Sequence, residues 1–269
     1  NGHAAAYAAA LPADTAGLTV SQFLRWSRPR RTAPVALTTL PAARLFRDIG
    51  AVFTHTDYLR PDQNVRLVFH SDPFGALGHA HADQNSFHLI AYDEDLLLDS
   101  GYYTPVGDPH RQNWSLQTKA HNTILVDGTG QPYGDTRGYG QITRFEETSD
   151  WVAMTGSAPA AYPDAALTRF DRHIVWLKGG DVQTYVIVDE IAGAGPKPHR
   201  FDWLLHSAQR MAIDERARRV DVPGKQGEAR VTFLEPAALA LRQDDDFDGT
   251  PAVYWRIGKN YPLPNQWHL

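Results

Sequence analysis

From Ala43 to the end of the chain, short runs of alternating apolar and polar residues recur, and Gly, Asp and Pro clusters separate them. A side-chain period of two fits a half-buried strand and does not fit a helix. The spacing of the runs predicts one large antiparallel β-sandwich or barrel. Strands are expected at Arg44–Ile49 and Ala51–Tyr58, separated by Gly50, then at Asn64–His70, Ser86–Tyr92 and Leu96–Asp99. Asp93-Glu94-Asp95 reads as the tight turn between the last two. Further runs lie at Thr123–Val126, Gln141–Phe145, Trp151–Thr155, Leu167–Leu177, Val182–Ile191, Arg200–His206, Ala229–Leu234 and Ala252–Ile257. Only residues 1–30 carry a helical pattern, Ala-rich over Ala4–Leu11 and amphipathic over Thr19–Trp26. Pro29 and Pro34 then punctuate a basic linker. The organisation expected is a helical segment over 1–42, the tail of a preceding helical domain, and a β domain over 43–269.

Hydrophobic residues make up 42% of the chain, enough for a proper core. The net charge of -5 argues against nucleic acid as the main partner. There is no cysteine, so any metal must be held by His and carboxylate. No apolar run approaches the length of a membrane span. The loops Ser100–Lys119 and Gly128–Gly140 exceed the usual length, which favours function.

Both loops flank a stretch from Gly78 to Asn122 that is rich in His and Asp. It opens Gly78-His79-Ala80-His81-Ala82-Asp83-Gln84-Asn85, continues through Leu98-Asp99-Ser100, and closes on Ala120-His121-Asn122. If the opening is extended, His79, His81 and Asp83 share one face, and neighbouring strands bring Asp99 and His121 alongside. Such a group suits a metal, a general base, or both. His81, Asp99 and His121 are the candidate ligands, with His79 and Asp83 as further candidates. A single His-x-His pair is more often structural, and it is the cluster that carries weight.

The loop residues His110, Arg111, Asn113, Trp114, Gln117 and Lys119 offer cations and amides for a carboxylate and an indole for a sugar ring. Arg137 and Tyr139 are further candidates for the same place. His55, His70, His88, His173, His199 and His206 read as core or edge residues, and Asp244-Asp245-Asp246 as a solvated turn.

Ser71-Asp72-Pro73-Phe74-Gly75, the Gly78–Phe87 stretch, Leu98-Asp99-Ser100-Gly101-Tyr102 and Ala120-His121-Asn122-Thr123 occur here in an order that resembles the heparinase II/III-like superfamily. The Asp83–Phe87 continuation and the Pro109–Asn122 loop are most similar to its exolytic oligoalginate lyase branch. The resemblance implies an α/α toroid followed by a large antiparallel β-sandwich, with cleavage of uronate polysaccharides by β-elimination. It assigns catalysis to His79 and a structural zinc to His81, Asp99 and His121, which leaves Asp83 outside the ligand set. It gives Gln84 and Asn85 no role. The family's catalytic tyrosine belongs to the toroid, upstream of the residues that match here.

The partners implied are an acidic polysaccharide or oligosaccharide, the upstream toroid and, as a homodimer, a second copy, with no nucleic acid and no membrane. The address implied is periplasmic or secreted, or cytoplasmic for an exolytic oligoalginate lyase. Alginate is preferred over heparan-type substrates because no dense Lys/Arg cluster occurs beyond Arg28–Arg31. Two readings stand beside the lyase. One is a zinc-stabilised sugar-binding β-sandwich without catalysis; the other is a cupin-like metal enzyme, disfavoured by the lack of the usual downstream Glu.

Overall fold

The computed structural model describes residues 35–100, 107–248, 253–256, 259–262 and 266–269. The helices expected over residues 1–30 lie outside them. β1 (Ala43–Phe46), β2 (Ala51–Thr54), β3 (Val65–His70), β4 (Ser86–Ala91) and β5 (Glu94–Leu97) form a five-stranded antiparallel sheet in chain order. After the short β6 (Ile124–Val126), β7 (Gln141–Glu147), β8 (Trp151–Ser157), β9 (Leu167–Leu177) and β10 (Thr184–Gly193) form a four-stranded antiparallel sheet. β11 (Phe201–Trp203) returns to pair with β6, and β12 (His206–Ser207) pairs with the terminal β18 (Trp267–His268). β13 (Ala212–Asp214), β14 (Arg219–Pro223) and β15 (Glu228–Thr232) make a third sheet, and β16 (Val253–Arg256) pairs with β17 (Lys259–Pro262).

The two main sheets share one core. Val65, Leu67 and Phe69 alternate inward along β3 and pack in one cluster with Val152 and Met154 of β8 and Ile174 and Trp176 of β9. Burying a side chain such as Phe69, which has no exposed surface, contributes about 1.5–3 kcal/mol. The architecture is the mainly β sandwich that the alternation predicts.

Two tight connections set the stage for the site. Gly50, between β1 and β2, takes a left-handed φ of 60° and packs where a Cβ would sit 2.2 Å from the Ser71 carbonyl oxygen. Its own carbonyl accepts from the Ser71 N–H at 2.8 Å. Tyr92 and Asp93, both at positive φ, form the two-residue hairpin turn from β4 to β5. β5 therefore starts at Glu94 and stops at Leu97, so Asp99 lies beyond the strand rather than ending it. β1 likewise ends at Phe46, where a 3-10 turn over Arg47–Ile49 takes over. No helix among the described residues is long and apolar enough to cross a membrane.

Candidate metal centre

Residues 71–85 connect β3 to β4 and carry His79 and His81. The segment is turn and coil, not strand, so the shared face expected for His79, His81 and Asp83 does not form. Gly78 at a φ of 74° and a turn closed by Ala80 N–H on Leu77 O (3.3 Å) break the extended path. His79 is exposed on this turn, and His81 is half-buried. Asp83 points elsewhere: its carboxylate lies 3.4 Å from His70 Nδ1, while Asp72 holds His70 Nε2 at 3.0 Å. His70 is thus clamped between two carboxylates. Burial pushes its pKa down, but the two negative charges outweigh burial and raise it well above the ordinary value.

A polar lattice fixes the base of this loop. The fully buried Gln84 accepts from the Asp72 N–H at 2.7 Å and donates to Asp72 Oδ2 at 3.2 Å. Its main chain donates to Gln131 Oε1 at 2.8 Å and accepts from Thr123 Oγ1 at 2.9 Å. Gln131 and Thr123 lie on remote segments of the chain, so the local motif gives no sign of this role for Gln84. The Ala82 N–H donates to Leu116 O (3.0 Å), which joins the His81 segment to the loop that carries His121.

Asp99 follows β5, and Leu98 and Ser100 on either side of it donate their N–H groups to His206 O (3.0 Å) and Ala120 O (3.2 Å). His121 follows a five-residue π-helical turn, Arg111–Ser115, and a 3-10 turn, Thr118–Ala120. The three segments bring His81, Asp99 and His121 together: one N or O atom from each lies within 4.8 Å of the others. The His81 and His121 ring centroids are 5.1 Å apart.

The donor set fits a metal ion. His121 Nε2 lies 3.1 Å from the Ser115 carbonyl, an acceptor, so that nitrogen carries the proton. Nδ1 then faces Asp99 Oδ1 at 3.1 Å, acceptor to acceptor, which requires a proton or a cation between them. Burial lowers the His121 pKa, yet the Asp99 charge and hydrogen bond outweigh it and raise the value. Burial raises Asp99 too, but His121 and then His81 hold it well below the usual carboxylate range. His81 is lowered by burial and by the neighbouring His121, so its lone pair is available. Two imidazoles and a carboxylate are a donor set that zinc takes.

The loop residues separate into two groups. Arg111 is buried, close enough for its charge to act on His81, and Trp114 is 3% exposed. The Trp114 ring packs on Phe247 and His268, and its Nε1 donates to Ser100 Oγ at 2.5 Å. A stacking platform needs an open ring face, so Trp114 packs the loop instead of presenting a sugar surface. Asn113 is exposed, and Lys119 pairs with Asp248 and lies 5.6 Å over the Trp114 ring. Asn113 and Lys119 line an open groove of about 710 Å³ together with Gln112, Gln117, Gln131 and Tyr162. Arg137 instead pairs with its neighbour Asp135, and Tyr139 is exposed.

The molecule is thus a sandwich of two antiparallel sheets whose connecting segments gather two histidines and an aspartate. The family profile Heparinase II/III-like, C-terminal matches residues 38–256, and the chain belongs to that family. An alginate lyase of Stenotrophomonas maltophilia (strain K279a) is 25% identical over 154 residues, 52% of this chain and 20% of that protein. Among solved structures, a heparinase III superposes with a TM-score of 0.62 at 18% identity, covering 85% of this chain and 34% of that one. The heparan sulfate lyase HepC from Pedobacter heparinus gives 0.60 at 16%, again covering 85% of this chain and 34% of that one. At these identities the structural likeness shows the fold. The chain spans about a third of the heparinase chains it matches.

Proposed function

We propose that this chain is the β domain of a polysaccharide lyase that cleaves uronate chains by β-elimination, with alginate oligosaccharides as the preferred substrate. The observation that carries the reading is the placement of His79, solvent-exposed on a turn and two residues from His81 in the gathered triad. A catalytic group must be accessible yet held, and the Asp72–His70–Asp83–Gln84 lattice holds the base of its loop. In the elimination, a base takes the C5 proton, the released electron pair forms the C4–C5 double bond, and the C4–O bond breaks. The departing oxygen takes up a proton. His79 is the proton-transfer group that this domain offers, with a tyrosine of an upstream toroid as its partner. Asn113 and Lys119, which line the groove, contact the uronate carboxylate and lessen its charge as negative charge builds at C5.

His81, Asp99 and His121 would hold zinc, which would supply a fixed cross-link between three segments. A periplasmic or secreted address fits a polymeric substrate, and a cytoplasmic one fits short oligosaccharides. The preference for alginate rests on the matched alginate lyase and on the scarcity of clustered Lys and Arg. The test follows ultraviolet absorbance of the unsaturated uronate with the full-length protein on alginate oligosaccharides and, separately, on heparan sulfate. A rise on alginate that His79→Ala abolishes is expected. A rise on heparan sulfate alone would move the substrate class, and no unsaturated product from either would overturn the lyase reading.

A further inference from the structure

β9 places a fully buried arginine at the junction of the three metal-site segments. Arg172 lies directly opposite Asp189 of β10, and the pair is bidentate: Nε to Oδ1 at 2.7 Å and Nη2 to Oδ2 at 2.6 Å. The Trp203 indole N–H also donates to Asp189 Oδ2, at 3.1 Å. The rings of Phe87, Phe170 and Trp203 surround the guanidinium at 5.6–5.8 Å. Burying an ion pair in such apolar surroundings is costly, and hydrophobic replacements of similar size are often at least as stable. Something other than stability therefore favours a charge at this position.

The remaining nitrogen identifies it. Arg172 Nη1 donates to two carbonyls at 2.8 Å each, Asn85 O and Asn122 O. Asn85 closes the loop that carries His81, and Asn122 directly follows His121. The Asn122 side chain completes the junction, since its Nδ2 donates to Phe87 O at 2.8 Å and to Leu98 O at 3.1 Å, the latter next to Asp99. One guanidinium and one amide thus tie together the segments bearing His81, Asp99 and His121 without touching any of the three side chains.

We propose that Arg172 is a positioning residue for the metal centre. Held by Asp189, it sets the spacing between the His81 and His121 segments, and Asn122 extends the same frame to Asp99, so the three ligands converge before metal binds. The inference rests on the reading of that triad as a zinc site. A planar fork is required, because a lysine ammonium has the charge but cannot span a carboxylate and two carbonyls in fixed directions.

The test measures zinc affinity by competition with a chromophoric chelator in the full-length protein, for the wild type, Arg172→Lys, Arg172→Met and a His121→Ala control. Ile174→Ala, a fully buried truncation on the same face of β9, supplies a comparison for general destabilisation. Loss of a group that orients ligands from behind lowers metal affinity by about 10–100-fold. That loss is expected in Arg172→Lys as well as Arg172→Met, with Ile174→Ala near wild type. Crystal structures of the metal-free proteins should show the His81–His121 ring separation, 5.1 Å in the wild type, increased in Arg172→Lys. Wild-type affinity and ring separation in Arg172→Lys, or an equal loss in Ile174→Ala, would overturn the positioning role and leave the zinc site standing. If the wild type takes up no zinc, the site reading falls, and the metal-free ring separations alone decide whether Arg172 positions the two histidines. Should Arg172→Met fail to fold, the lysine variant carries both measurements.

Discussion

Gln84→Met removes the side-chain half of the lattice beneath His79 and His81 while leaving its volume nearly unchanged. In the wild type the amide accepts from the Asp72 N–H at 2.7 Å and donates to the Asp72 carboxylate at 3.2 Å. Gln84 has no exposed surface and Asp72 has 5%, so water does not readily replace either bond. A buried donor left unpaired costs about 1–3 kcal/mol, and a hydrogen bond to a charged group contributes about 1.5–3 kcal/mol. Both losses fall on Asp72, whose carboxylate keeps His70 at 3.0 Å and the Phe74 N–H at 2.6 Å. The two terms therefore do not add fully, and about 2–4 kcal/mol is expected. Urea unfolding at neutral pH reads this as a lower midpoint at constant slope. The main-chain bonds of Gln84 to Gln131 and Thr123 persist in the variant, so the fold should survive. A loss below about 1 kcal/mol would refute the claim that this amide carries the base of the loop.

Other outcomes follow from the same geometry. The raised His70 pKa means that the stability from its two carboxylate contacts is complete below about 6.5 and fades as pH rises through the higher folded value. The gap in unfolding free energy between wild type and His70→Gln should narrow from mildly acidic to alkaline pH, and a widening gap would contradict the clamp. Zinc at about a hundred times its Kd should add about 2.7 kcal/mol of stability, removable by a chelator and absent in His121→Ala; identical melting of the two proteins with and without zinc would count against the triad. Trp114→Ala should cost about 3–5 kcal/mol in unfolding free energy, as a core truncation does, with sugar affinity of the folded fraction unchanged. A selective loss of sugar binding would return the indole to the substrate surface. Gly50→Ala must strain a left-handed φ and displace Ser71, so it should lower stability by more than the roughly 1–2 kcal/mol of the backbone term alone, checked by thermal unfolding.

Alternation made the long strands legible. β9 runs over the residues predicted, Leu167–Leu177, because Phe170, Ile174 and Trp176 mark one buried face at a period of two, with Arg172 the charged residue among them. β13 and β14 left no such trace: Ala212–Asp214 and Arg219–Pro223 are short, rich in charge and joined through Arg218 at a positive φ. Strand parity failed over His79–Asp83 for a definite reason, since a turn at Gly78 ends the period of two before the first histidine. The cluster itself offers His81, Asp99 and His121 as the candidate ligands, the three that converge; strand parity keeps Asp83 beside them, and the family resemblance is what sets Asp83 aside. Its partner, His70, lies at the end of the preceding strand, where pairing across a loop is invisible to periodicity.

Arg172 shows what the same alternation can still reveal. Along β9 the buried positions Phe170, Arg172, Ile174 and Trp176 share one face, so period-two parity puts a guanidinium in the core. A charge there is tolerated only when its donors are met, and β10 supplies Asp189 at the facing register position. The four bonds of this arginine to its surroundings are thereby constrained in direction: two by the carboxylate, and two by whichever backbone the fork then reaches. The backbone it reaches is that of Asn85 and Asn122, at the ends of the two segments that bear the histidines. An arginine on the apolar face of a long strand, opposite an aspartate, is therefore a sequence-level pointer to a buried junction, and in this sandwich the junction ties the segments that carry His81, Asp99 and His121.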